Sequence, residues 1–288
     1  MPDIWGQAAI LTKLLLYVGA LGASGLIIVQ VVFANATTSL TQRLRNQTVL
    51  LTALALVASL LGFMLRGAAL TGSADGMTDP EMLGLLWQTP VGDALLYRLA
   101  GGALIIVGSL MPRFGQWVAL AGSVLLLWSF AKVGHVADIG PFYMRLLLLL
   151  HLLGVAFWIG VLPPLHRLSQ TPDLLSQAAK LGHQFGQAAI IIVPALLFAG
   201  LGMGWLLTGT LSALIGTGYG QALMVKIALV VVVLMLAAAN KLRFVPAIQA
   251  GDANAARHLA RSIQIETAVI LAVLAATATI TSVLTLPN

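Results

Sequence analysis

Cysteine is absent from the 288 residues, which excludes disulfides and any thiolate metal site. Charge is scarce too. Only 8% of the residues are Asp, Glu, Lys or Arg, where a soluble domain carries about a quarter. With 59% hydrophobic residues and a mean hydropathy of +0.99, there is too little polar surface to cover a water-soluble globule. The strict polar–apolar alternation of a membrane β-barrel is missing. No ATP-binding motif occurs. Residues 1–7, MPDIWGQ, lack a basic leader and the first apolar run is long enough to span, so no cleaved signal peptide is expected.

What is present is a series of eight apolar runs, at 8–33, 47–70, 92–111, 115–134, 142–165, 185–208, 220–242 and 262–285. Their length predicts transmembrane helices. The expectation is an all-α polytopic bundle of eight transmembrane helices, with 1–288 as a single unit and no evident internal repeat. The net charge of +6 does not point to nucleic acid, because the basic residues lie between the runs. Arg43, Arg45, Arg113, Arg167, Lys180, Lys241, Arg243, Arg257 and Arg261 fall in alternate loops, and the other loops are acidic or uncharged. The positive-inside rule then puts both termini on the periplasmic side. Trp5, Trp87 and Trp205 fall near the outer boundary and Trp117 near the inner one.

His151 stands out within the run RLLLLLHLLGVAFWIG at 145–160. It is nine residues in from Phe142, roughly 14 Å deep at 1.5 Å per residue, near the middle of the hydrocarbon. An ionisable residue there is a functional-site hypothesis by default. Met144, His151 and Trp158 are spaced by seven and share a helix face. His135 ends the preceding run, and Met64, Met203 and Met224 fall in the outer half of their spans. Imidazole and thioether donors without cysteine suit copper. The plainer reading is that such a histidine bonds a neighbouring helix and that the methionines fill space.

Several motifs in order resemble the CopD/PcoD family of bacterial inner-membrane copper-resistance proteins: TPVGDALLYR at 89–98, GHVAD at 134–138, LHLLGVAFWIGVL at 150–162, TGYGQALMVKIAL at 217–229, AAANKLRFVPAI at 237–248, and Glu266. The likeness runs from about 80 to 288 and is most specific over 180–285. It implies copper transport, uptake of Cu(I) from periplasm to cytoplasm through a multi-pass protein of the inner membrane, with a periplasmic CopC-like copper carrier as partner and no catalysis. By position, His135, His151, Trp158, Lys226, Asn240 and Glu266 are the family-like residues, and Arg98 is expected as pathway or structural support. The metal pathway expected from residues and resemblance together is His135, Met144, His151, Met203 and Met224.

The basic residues leave alternatives open. Arg66, Arg98, Arg145 and Lys226 all fall in the outer half. They either pair with Asp75, Asp79, Glu81, Asp93 and Asp138, or hold the propionates of a haem b. Segment 150–168 is also similar to haem-binding membrane oxidases, so a b-type redox protein is the runner-up, and a non-catalytic assembly or sensor subunit the third reading. Glu266 either accepts a proton or steers the ion, or simply pairs with Lys241 or Arg243, which is the favoured reading.

Overall fold

The computed structural model describes residues 3–112, 114–139 and 141–286. Arg113 lies outside the described residues, as does the side chain of Asp138. Eight long helices carry the architecture: α1 Ile4–Val32, α2 Thr41–Thr71, α3 Pro90–Leu110, α4 Gly115–Trp128, α5 Phe142–Ser169, α6 Leu175–Thr208, α7 Gly218–Ala239 and α8 Ala253–Val283. No strand occurs among the described residues. Seven of these helices are long and apolar enough to cross a membrane; α4, continued to Ala131 by a 3-10 turn, is shorter. The chain is an all-α, multi-pass membrane protein. The end holding Ile4 of α1 and Val283 of α8 is referred to as the outer end, after the orientation the charge pattern predicts.

The helices begin and end where local chemistry dictates. α2 stops at Gly72, whose φ of 72° is the left-handed conformation that closes a helix. The loop that follows is itself partly helical. Asp79 accepts from the Glu81 amide at 2.9 Å and starts the short helix Pro80–Trp87. Thr89 then accepts from the Val91 amide at 3.2 Å, with Pro90 at the first helical position, and starts α3. At the inner end, α2 and α6 extend beyond their apolar runs, starting at Thr41 and Leu175 rather than at 47 and 185. Backbone hydrogen bonding does not stop where the hydrocarbon does.

α1 is the central helix and packs on α2, α4, α5 and α8, whereas α6 packs mainly on α5 and α7 mainly on α8. In lipid there is no hydrophobic force between helices, so association rests on close packing of small residues. The α1–α5 crossing is the tightest. A Cβ at Gly25 would meet the Ala156 carbonyl and the Gly160 backbone, and a Cβ at Gly160 would meet the Gly25 backbone. α3 and α4 meet in the same way at Gly101 and Gly122. Around α1 lie two apolar clusters. The outer one includes Leu16, Tyr17, Leu21, Leu126 and Leu152; the inner one includes Leu26, Phe157, Val161, Leu259 and Ile263.

Gly160→Ala should therefore destabilise the protein by about 1–3 kcal/mol through overpacking, read as a lower unfolding temperature in detergent. Gly202→Ala on α6, where an added Cβ meets nothing within 4 Å, should leave that temperature unchanged or slightly higher.

Candidate functional site

A cavity of about 810 Å³ occupies the outer half of the bundle and is lined by every long helix except α4. His135, His151, Met203, Arg98 and Lys226 of the sequence-predicted residues lie on its wall. Two others do not. Met144 is buried at 4% exposure outside the lining, and Met224 is 37% exposed on the surface of α7. Among the described residues, no cluster of three or more His, Asp or Glu side chains suits a metal ion.

His151 is fixed by α6. Its Nδ1 lies 3.2 Å from the Leu196 carbonyl oxygen. A carbonyl only accepts, so Nδ1 carries the proton and a neutral ring keeps its Nε2 lone pair free. The same arrangement orients metal-binding histidines. Gly200, one turn beyond Leu196, makes room for the ring: a Cβ there would stand 3.0 Å from Cε1 of His151. His135 starts the short helix His135–Ile139 after Gly134, whose φ is 98°. Its ring meets Tyr219 edge-on at 5.6 Å, and its Nε2 is buried with no hydrogen-bond partner among the described residues.

Among the described residues, Lys13, Arg98 and Arg145 of the outer half are held by neutral groups rather than by acids. Lys13 Nζ donates to the Thr281 carbonyl at 2.6 Å, Arg98 Nε donates to Ser129 Oγ at 3.2 Å and its guanidinium lies over Phe130, and Arg145 donates to the Ala137 carbonyl at 3.1 Å. Asp93 does pair, but with Lys132, at 3.9 Å. Asp79 is occupied as a helix cap. Sequence reasoning misses Lys13, although a lone charge inside the first apolar run is itself the signal.

The fold also reveals a repeat. TPVGDALLYR at 89–98 and TGYGQALMVK at 217–226 share Thr, Gly, Ala and Leu at equivalent positions and end on a cation. Each follows a short helix, Pro80–Trp87 or Leu211–Gly216. Each begins with a threonine cap, Thr217 accepting from the Gly220 amide as Thr89 does from Val91. Each glycine lies against the end of its short helix: a Cβ at Gly92 would meet the Trp87 carbonyl, and one at Gly220 the Leu214 carbonyl. Val91, Leu95 and Arg98 of one segment line the cavity, as do Tyr219, Leu223 and Lys226 of the other.

A second, smaller pocket of about 180 Å³ lies toward the inner end between α5, α6, α7 and α8, and Trp158, Asn240 and Glu266 line it. Glu266 is 2% exposed. Its carboxylate accepts from Trp158 Nε1 at 2.6 Å and from Asn240 Nδ2 at 2.9 Å. These donors, rather than Lys241 or Arg243, hold it. Lys241 lines the same pocket, and its side-chain stem passes Gly186. Asn240 opens a five-residue π-helical stretch, Asn240–Phe244, at the end of α7, a feature frequent at functional sites. The two spaces lie in series along one seam: α6 contributes Leu196 to the outer and Val193 to the inner, and α7 contributes Val230 and Leu234.

Trp158→Phe should destabilise the protein by about 1–3 kcal/mol, because it leaves a buried carboxylate oxygen without its donor. Adding Glu266→Leu should recover most of that loss. Thermal unfolding of the single and double variants checks both.

The chain was compared with known proteins. A family model described as "Copper resistance protein D" matches residues 179–280, and one described as "Copper resistance protein D-like, N-terminal domain" matches residues 1–141. The copper transport protein CutJ of Bacillus subtilis (strain 168) is 31% identical over 166 residues, which is 50% of this chain and 30% of that protein. No solved structure matches. None of these descriptions names an enzyme. The helical membrane architecture and the two family models agree, and the chain belongs to the copper resistance protein D family.

Proposed function

We propose that this protein carries copper across the bacterial inner membrane, from periplasm to cytoplasm, as Cu(I). The observation that carries the reading is the serial arrangement of cavity and pocket, with His135, Met203 and His151 in the first and Glu266 in the second. Imidazole and thioether groups are soft enough for Cu(I). His135 offers a buried nitrogen with no partner among the described residues, and His151 is oriented through its other nitrogen. His135 and Met203 capture the ion, His151 is the mid-membrane station, and Glu266 receives the charge on the inner side. Residues 1–288 act as one unit, with a CopC-like periplasmic carrier delivering the metal. The membrane potential favours inward movement of a cation by about 2.3 kcal/mol per 100 mV, so no nucleotide is needed. The protein acts as a transporter and not as an enzyme.

One observation favours a second reading, a b-type haem protein: both histidines and Arg66, Arg98 and Lys226 line the same cavity, and paired histidines are how membrane cytochromes ligate iron. An absorption spectrum of the purified protein, before and after dithionite, separates the two. A Soret band that sharpens its α and β companions on reduction supports haem, and a featureless visible spectrum leaves copper.

His151→Ala should lower copper accumulation by cells at least about tenfold, equivalent to about 1.4 kcal/mol, with normal amounts of protein in the membrane. Gly200→Ala should lower it less, by displacing the ring without removing it. Elemental analysis of cells expressing each variant is the measurement, and normal accumulation with His151→Ala would reduce His151 to a packing residue.

A further inference from the structure

The wall of the outer cavity is strongly one-signed. It carries Lys13, Arg66, Arg98 and Lys226, and Asp3 is the one acid among its described lining residues. Asp3 is exposed, and its Oδ1 is taken by the Gly6 amide at 2.7 Å as the cap of α1. Lys13 lies within electrostatic range of both Arg66 and Arg98. Like charges gathered in a low-dielectric interior repel one another strongly, and ionisable groups within a membrane protein face a partner or the contents of a cavity. Lys13 and Arg98 are steered by a backbone carbonyl and a hydroxyl, which hold the groups in place without neutralising them. Lys226 has no hydrogen-bond or ion-pair partner among the described residues.

The repeated segments show that this charge is built. The threonine cap, the glycine against a short helix and the cation nine residues after the cap occur twice, on α3 and on α7, and both cations end on the same cavity. Deeper in, the wall becomes apolar, with Leu16, Leu21, Leu152, Leu196 and Val230. The volume lies within the range of pockets for small organic ligands.

We infer that the outer cavity is a binding site for an anion, a phosphate- or carboxylate-bearing ligand whose charged group is drawn by the cations of its wall, Lys13, Arg98 and Lys226. Charge-assisted hydrogen bonds from arginine and lysine are the strong ones for such groups. A ligand with an apolar body, such as a lipid, also covers the deeper wall; a free anion fills only the charged end. The site stands on the cavity and its charges, and it holds whether or not copper passes through.

The test uses the full chain in dodecyl maltoside with a metal chelator present, so that copper plays no part. Unfolding temperature is followed against dodecyl phosphate, inorganic phosphate and uncharged dodecanol. The expected result is a saturable rise with dodecyl phosphate and none with dodecanol. Lys226→Gln should weaken the apparent affinity at least about tenfold, the worth of one 1.4 kcal/mol contact. Without phosphate the same variant should unfold at an equal or higher temperature than the parent, because it removes a buried charge that has no partner among the described residues. That reversal separates a ligand contact from a merely structural lysine. An equal response to inorganic phosphate identifies a free anion as the ligand. A response confined to dodecyl phosphate, matched by greater stability in phosphatidylglycerol than in phosphatidylcholine nanodiscs, identifies a lipid. If neither phosphate probe raises the unfolding temperature, or if Lys226→Gln and Arg98→Gln both respond as the parent does, the cavity is not an anion site.

Discussion

The crossing of α1 with α5 is the contact on which the bundle depends. Gly25 faces Ala156 and Gly160 with no side chain between the backbones. That closeness draws α5 against the central helix, and it fixes where the other face of α5 points. His151 and Trp158, two turns apart, then both look toward α6, α7 and α8. In a membrane, where apolar surface alone gives helices no reason to associate, such contacts set the position of everything else. The more loosely tied α6 and α7 take their places relative to α5 and α8, and the two spaces between them are what this leaves.

Those spaces hold much of the polar chemistry that the bundle buries at depth. The principle is different in each. At the inner pocket the protein supplies the partners: a buried carboxylate meets an indole and an amide on two other helices. At the outer cavity it supplies charge of one sign from several helices and matches it with neutral groups only in part. An interior can be finished by its own side chains or by its contents, and the two sites represent these two solutions. A route for a cation past the second is electrostatically plausible only with negative charge alongside it.

Much of this was legible in the sequence. Long apolar runs and the near-absence of charge predict helices, since nothing else satisfies the backbone in hydrocarbon. His151, Trp158, Asn240 and Glu266 are conspicuous for the same reason, as polar or bulky interruptions within apolar runs. Their grouping was not legible. Trp158 and Glu266 are 108 residues apart, and no spacing rule joins them. Nor does sequence separate Met203 on the cavity wall from Met224 on the outer surface. A membrane helix is apolar on the face toward lipid and on the face toward protein alike, so the pattern that orients a soluble helix is silent here. The relation between 89–98 and 217–226 is hard to see in ten letters with four identities. It becomes plain once the two caps, two short helices and two cations are seen to do the same work.

The π-helical stretch Asn240–Phe244 has a bearing on chain length. A turn of this kind carries one residue more than an α-turn, and so absorbs about 100° of helical rotation. α7 presents Lys226 to the outer cavity and Asn240 and Lys241 to the inner pocket, and beyond the stretch Val245 lies against Gly182 of α6. Loss of a single residue from this stretch would leave an ordinary helix with the later side chains still near their present angles, whereas a loss elsewhere in α7 would screw them around the axis by that angle. The segment therefore tolerates a change of count that the rest of α7 does not, and a one-residue deletion among family members should be least disruptive there.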